Sequence, residues 1–91
     1  MKYIVKPTAS FRRDLKRVHL RGYDIDLLIR VIETLAAGEV LDASFGDHPL
    51  RGRYSGCREC HITPDWLLIY KFSGDSLYLF LTRTGTHSDL F

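Results

Sequence analysis

The chain has 91 residues, 45% apolar and 26% charged, with a formal net charge of +2. That supports one compact domain, residues 1–91, burying roughly 60 to 65% of the surface of the unfolded chain, and it leaves no room for a second core. No run of about 18 apolar residues occurs and the N-terminal segment turns charged too soon for a secretion signal, so a cytoplasmic protein without a membrane span is expected.

Taken in chain order, Met1–Lys6 alternates enough for a short strand, Pro7 ends it, and Thr8 offers a helix N-cap. Phe11, Leu15 and Val18 recur at helical spacing and should face the core, while Arg12 with Lys16 and Arg13 with Arg17 stack on the remaining surface. Charge is polarised: residues 1–21 sum to +6, residues 22–50 to −5 and residues 51–91 to +1. The basic block suits phosphate contacts and steering toward a polyanion, and it equally describes a solvated helix face.

After Arg21-Gly22, Asp24 can cap a second helix in which Ile25, Leu28, Ile29, Ile32, Leu35 and Ala36 keep the helical period until near Gly38. Two helices joined so tightly should form an antiparallel hairpin. From Leu41 the pattern shortens, with strands expected near Gly52–Ser55, Arg58–Thr63, Trp66–Phe72 and Ser76–Arg83, turns at 63–66 and 73–75, and a tail or short turn over Thr84–Phe91. The expected fold class is α+β: a twisted, mainly antiparallel β-sheet with an N-terminal helical hairpin packed on one face.

Three of the four histidines, His48, His61 and His87, fall in the C-terminal half beside Asp65, Trp66, Arg83 and Phe91. Histidine gives or takes a proton near neutral pH, and a nearby carboxylate or second histidine completes an acid/base pair. Arginine can hold a phosphate and stabilise the charge growing on it, and Trp66 and Phe91 could stack on unpaired bases. These are the parts of a ribonuclease that activates a 2′-hydroxyl against the adjacent phosphate. Each has a plainer explanation: a structural or merely exposed histidine (the reading given to His19), Trp66 as a core aromatic, Asp65 as a turn residue, and Arg83 snorkelling from the face it shares by parity with Leu77, Leu79 and Leu81.

Residues 57–61 read Cys-Arg-Glu-Cys-His, the pattern of c-type haem attachment and half of a zinc pattern. Export is not expected, Met1 is a poor second axial ligand, and no second Cys/His pair stands at a usual spacing, though His48 could lend a ligand. Along a strand the two cysteine Cα atoms lie roughly 10 Å apart, beyond the ~7 Å a disulfide tolerates, and the thiols point to opposite faces. Two reduced cysteines are expected.

DHPL at 47–50, HITPDWLLIYK at 61–71 and RTGTHSDLF at 83–91 resemble the YafQ branch of the RelE/ParE toxin superfamily, and the likeness extends over essentially the whole chain. The family's functional positions fall on His48, His61, Asp65, Trp66, Arg83, His87 and Phe91. The resemblance implies a RelE-like fold and a type II toxin: a ribosome-dependent endoribonuclease that cuts mRNA in the A site and blocks translation, with no cofactor and no metal. It implies His87 at the leaving oxygen, Asp65 with His48 or His61 as the base, Arg83 as the phosphate clamp, Trp66 and Phe91 against bases, and Arg12, Arg13, Lys16 and Arg17 against ribosomal RNA. The implied partners are the ribosome, mRNA and a DinJ-like antitoxin with a ribbon-helix-helix end, operator DNA being met only through the antitoxin complex. Two rival readings are a ParE-like toxin that poisons DNA gyrase without needing the histidines, and an inactive antitoxin-binding or autoregulatory module.

Overall fold

The computed structural model describes residues 3–75 and 77–91. The elements are β1 (Ile4–Pro7), α1 (Ala9–Leu20), α2 (Ile25–Ala36), β2 (His48–Pro49), β3 (Arg58–Thr63), β4 (Trp66–Phe72), β5 (Tyr78–Gly85) and α3 (His87–Leu90), with 3-10 turns at Ala43–Phe45 and Gly52–Tyr54. The five strands form one sheet in the order β1-β5-β4-β3-β2. Among the described residues only the β1–β5 pair is parallel, so the α+β, mainly antiparallel expectation is met. The expected starts at Met1 and Ser76 lie outside the described residues. No described helix is long and apolar enough to cross a membrane.

Thr8 caps α1 by accepting the Phe11 N–H at 3.0 Å, and Asp24 caps α2 by accepting that of Asp26 at 3.1 Å. Phe11 and Val18 are buried, as their spacing requires, and so is Asp14 between them. On α2 the buried stripe is Leu28, Val31 and Leu35, whereas Ile29 is 45% exposed, because the helix presents a narrower face to the sheet than its apolar content suggests.

Side chains alternate across a strand, so β4 feeds two cores. Trp66, Leu68 and Tyr70 join the helices in the larger cluster, while Leu67 and Ile69, on the other face, pack with Tyr54 and Leu90. The strand expected near Gly52–Ser55 is instead the 3-10 turn at Gly52–Tyr54, which starts on a left-handed glycine (φ +64°) and drops Tyr54 onto this second core. The C-terminal residues are more ordered than a tail: β5 continues to Gly85, and Thr86 starts α3 with a capping box to Asp89.

One irregularity decides which face Arg83 occupies. Ile69 pairs with Arg83 but Tyr70 pairs with Leu81, so Thr82 is an extra residue in β5, a β-bulge. The bulge reverses the parity: Leu79 and Leu81 face the helices, and Arg83 stands beside Ile69 on the opposite face. Arg83 therefore does not snorkel from the apolar face of Leu79 and Leu81.

Candidate active site

The sheet face turned away from α1 and α2 carries one row across four strands, His48 on β2, Glu59 on β3, Ile69 on β4 and Arg83 on β5, each paired with the next. A second row follows, His61, Leu67 and Gly85, and runs on through Thr86 into His87. Polar groups thus stand on both sides of an apolar floor. Two strand spacings, about 10 Å, separate the backbones of Glu59 and Arg83.

The first group is built around Glu59, which the sequence reading passed over although it shares strand parity with His61. Its side chain is 4% exposed, with Oε2 at 3.1 Å from His48 Nε2 and 3.9 Å from His61 Nε2. Oε1 has no hydrogen-bond partner among the described residues. The other His48 nitrogen, Nδ1, lies 2.7 Å from the Gly46 carbonyl. A carbonyl only accepts, so Nδ1 carries a hydrogen, and the Nε2–Glu59 contact then needs one more proton, held on either the imidazole or the carboxyl. Gly46 can aim that carbonyl because it sits in the left-handed region (φ +61°). Asp47 pins the same loop by accepting from Arg58 Nε at 2.7 Å and from the Tyr70 hydroxyl. His61 borders an open groove with Phe45, Thr63 and Pro64, and Asp65 is exposed on the neighbouring turn.

The second group centres on Arg83. Its Nε and Nη2 donate to Asp14 at 2.6 and 3.0 Å, and its Nη1 lies 3.4 Å from the Tyr54 hydroxyl. The Asp14 carboxylate raises the Arg83 guanidinium above its ordinary value and keeps it charged. Tyr54 also donates to the Leu90 carbonyl at 3.2 Å and meets Phe91 edge-on, 5.4 Å between ring centres. His87 at the start of α3 and Phe91 just past its end lie side by side, 5.1 Å between ring centres, and both are exposed. Asp14 and Tyr54 are the other two residues the sequence reading missed. Asp14 sits on the apolar stripe of α1, four positions before Val18, and that placement was its signal.

Trp66 does not belong with these groups. It is 2% exposed, packs edge-on against Tyr23 at 5.0 Å, and donates its Nε1–H to Thr84 Oγ1 at 2.9 Å. The expectation of a base-stacking Trp66 is therefore corrected: its parity on β4 turns it into the helix-side core, where no base can reach its ring. Both cysteines are free, Cys60 in the helix-side core and Cys57 against the second cluster, so the C-x-x-C-H thiols are split between the faces.

A helical pair on a mixed sheet, with histidines, a buried carboxylate and an arginine on the open face, is the build of a bacterial toxin of a type II toxin-antitoxin system, and the family model of that description, YafQ, matches residues 3–91. The mRNA interferase toxin YafQ of Escherichia coli K12 is 38% identical over 88 residues, 96% of this chain and 94% of that one. The chain belongs to the YafQ family of type II toxins.

Two solved structures bear on the site. YafQ in the E. coli DinJ-YafQ toxin-antitoxin complex superposes with a TM-score of 0.89 at 36% identity, covering 100% of this chain and 99% of that one. A metal-bound toxin from Helicobacter pylori gives a TM-score of 0.91 at 39% identity over 98% of this chain and 99% of that one. Among the described residues of the present chain, no group of three or more His, Cys, Asp or Glu side chains is arranged to hold a metal ion.

Proposed function

We propose that this chain is an mRNA interferase that cuts the codon exposed in the ribosomal A site and so stops translation, acting in the cytoplasm. What carries the reading is the pair of polar groups on one sheet face, a histidine–carboxylate cluster on one side of the apolar floor and Arg83 with His87 on the other. RNA cleavage of this kind needs a base at the 2′-hydroxyl, a cation at the phosphate and an acid at the departing 5′-oxygen.

Asp65 with His48 or His61 is the base at the 2′-hydroxyl, and the buried Glu59 carboxylate, 3.1 Å from His48 Nε2 and 3.9 Å from His61 Nε2, holds the two imidazoles in place. Arg83 binds the phosphate, and exposed His87 protonates the leaving oxygen while Phe91 stacks on a base. The exposed side chains Arg12, Arg13, Lys16 and Arg17 on α1 give the protein its approach to ribosomal RNA. By analogy with the DinJ-YafQ complex, a DinJ-like antitoxin with a ribbon-helix-helix end silences the toxin, and operator DNA is met only through that complex.

Toxin variants His87→Ala and Arg83→Ala, assayed for growth arrest and for mRNA cleavage with and without ribosomes, test this directly. Both should abolish both effects while the fold survives. Wild-type toxicity in both variants would overturn the enzymatic reading, and inhibition of gyrase supercoiling in a parallel assay would replace it with a gyrase poison.

A further inference from the structure

We propose that Asp14, a residue of α1 outside the histidine cluster, is a positioning residue for mRNA cleavage: it grips one edge of the Arg83 guanidinium so that the other edge faces the phosphate. The inference rests on the reading of Arg83 as the phosphate-binding group.

The geometry is specific. Guanidinium presents five N–H donors in a planar fork, and its two bidentate edges are Nε/Nη2 and Nη1/Nη2. Asp14 takes the first edge with both oxygens, at 2.6 and 3.0 Å. Nη1 is left toward the Tyr54 hydroxyl at 3.4 Å, too long and weak to compete with a phosphate oxygen. The free edge, Nη1 with the outer hydrogen of Nη2, is the one matched to two phosphate oxygens.

Asp14 is itself held. The backbone N–H of Thr84 donates to its Oδ2 at 3.2 Å, in the part of β5 that runs on past the end of β1 and would otherwise have an unpaired strand edge. Its side chain is 2% exposed against 19% for Arg83, so the carboxylate belongs to the interior and the guanidinium reaches out from it. A buried carboxylate beside the clamp should weaken its pull on an anion, and two further arginines offset this. Arg17 lies 3.8 Å from both Asp14 and Asp89, and Arg21 lies 2.6 Å from Asp89. Three guanidiniums against two carboxylates leave the run net positive. The bulge at Thr82 turns Arg83 to the open face, and Asp14 sets its rotation there.

The test uses the full-length toxin on mRNA-programmed ribosomes. Asp14→Asn is nearly isosteric and keeps an oxygen for the Thr84 N–H, so a purely structural role predicts an unchanged cleavage rate in the folded variant. The positioning role predicts unchanged ribosome binding, a rate at saturating ribosome about 100-fold lower, the loss that a shift of about 1 Å in a reacting group can bring, and an Arg83 Nε–H resonance that moves to the position of a free arginine. Wild-type cleavage by Asp14→Asn, with Arg83→Ala inactive, would overturn the role of Asp14 and leave the clamp standing. Wild-type cleavage by Arg83→Ala would remove the clamp itself. Should Asp14→Asn not fold, the wild-type protein still decides: free rotation of the Arg83 guanidinium in nitrogen-15 spectra is incompatible with the proposal, and a restrained Nε–H protected from exchange supports it.

Discussion

Trp66 and Thr84 meet across the β4–β5 pair, where the indole Nε1–H donates to Thr84 Oγ1 at 2.9 Å and the same hydroxyl donates to the Leu67 carbonyl at 2.7 Å. The relay satisfies a buried indole, a buried hydroxyl and a strand carbonyl together. Trp66 should therefore matter for stability. Trp66→Ala is expected to cost about 3–5 kcal/mol in urea unfolding, and Trp66→Phe about 1 kcal/mol, chiefly for the lost hydrogen bond. Trp66→Phe should keep most mRNA cleavage; loss of cleavage at unchanged stability would return the ring to the RNA.

Glu59 links His48 and His61. Glu59→Gln keeps an oxygen near His48 Nε2 and removes the negative charge that lets the pair share a proton. Single-turnover cleavage should fall on the order of 10²- to 10⁴-fold, the usual contribution of a positioned acid or base. A cleavage rate equal to that of wild type would show that the pair is structural.

Asp89 ties α3 to α1. The Arg21 guanidinium, donating at 2.6 and 3.0 Å, together with the Thr86 N–H, holds the Asp89 carboxyl well below its ordinary value. A carboxyl depressed in the folded state contributes stability that is present above its unfolded value and lost as pH falls toward its folded one. Asp89→Asn should melt earlier than wild type near neutral pH, and the gap should close as pH drops below about 4, the ordinary aspartate value. Added salt should narrow the gap as well, because the Arg21 side chain is 39% exposed. A gap independent of both pH and salt would mean that the capping box alone holds α3.

The thiols should differ sharply. Burial pushes the Cys60 thiol up to about 12, so it stays protonated and shielded, whereas Cys57 is half-buried. Alkylation near pH 8 should modify Cys57 alone in the native protein and both cysteines after unfolding. Rapid labelling of Cys60 in the folded protein would contradict the packing described here.

Periodicity recovered what is local. The 3.6-residue recurrence of Phe11, Leu15 and Val18, the Thr8 and Asp24 caps, and β3 and β4 to the residue all follow from patterns that a few neighbouring positions carry. Errors fell where burial depends on a partner distant in sequence. Gly52–Tyr54 has strand-like composition but is drawn into a turn by Tyr54 packing under α3, and Ile29 keeps the apolar period yet finds nothing to bury it.

The sequence by itself determined the α+β class and the helical pair, and it offered His48, His61, Asp65, Arg83 and His87 as catalytic candidates with Trp66 and Phe91 as base-stacking ones, because these rest on residue type, short-range spacing and motif resemblance. Tertiary structure alone decided how they are grouped. Strand pairing sets His48 beside Glu59, the bulge at Thr82 reverses the face of Arg83, and α1 brings Asp14 to a residue 69 positions away. Register and long-range charge pairing are properties of two segments at once, so neither segment's sequence contains them.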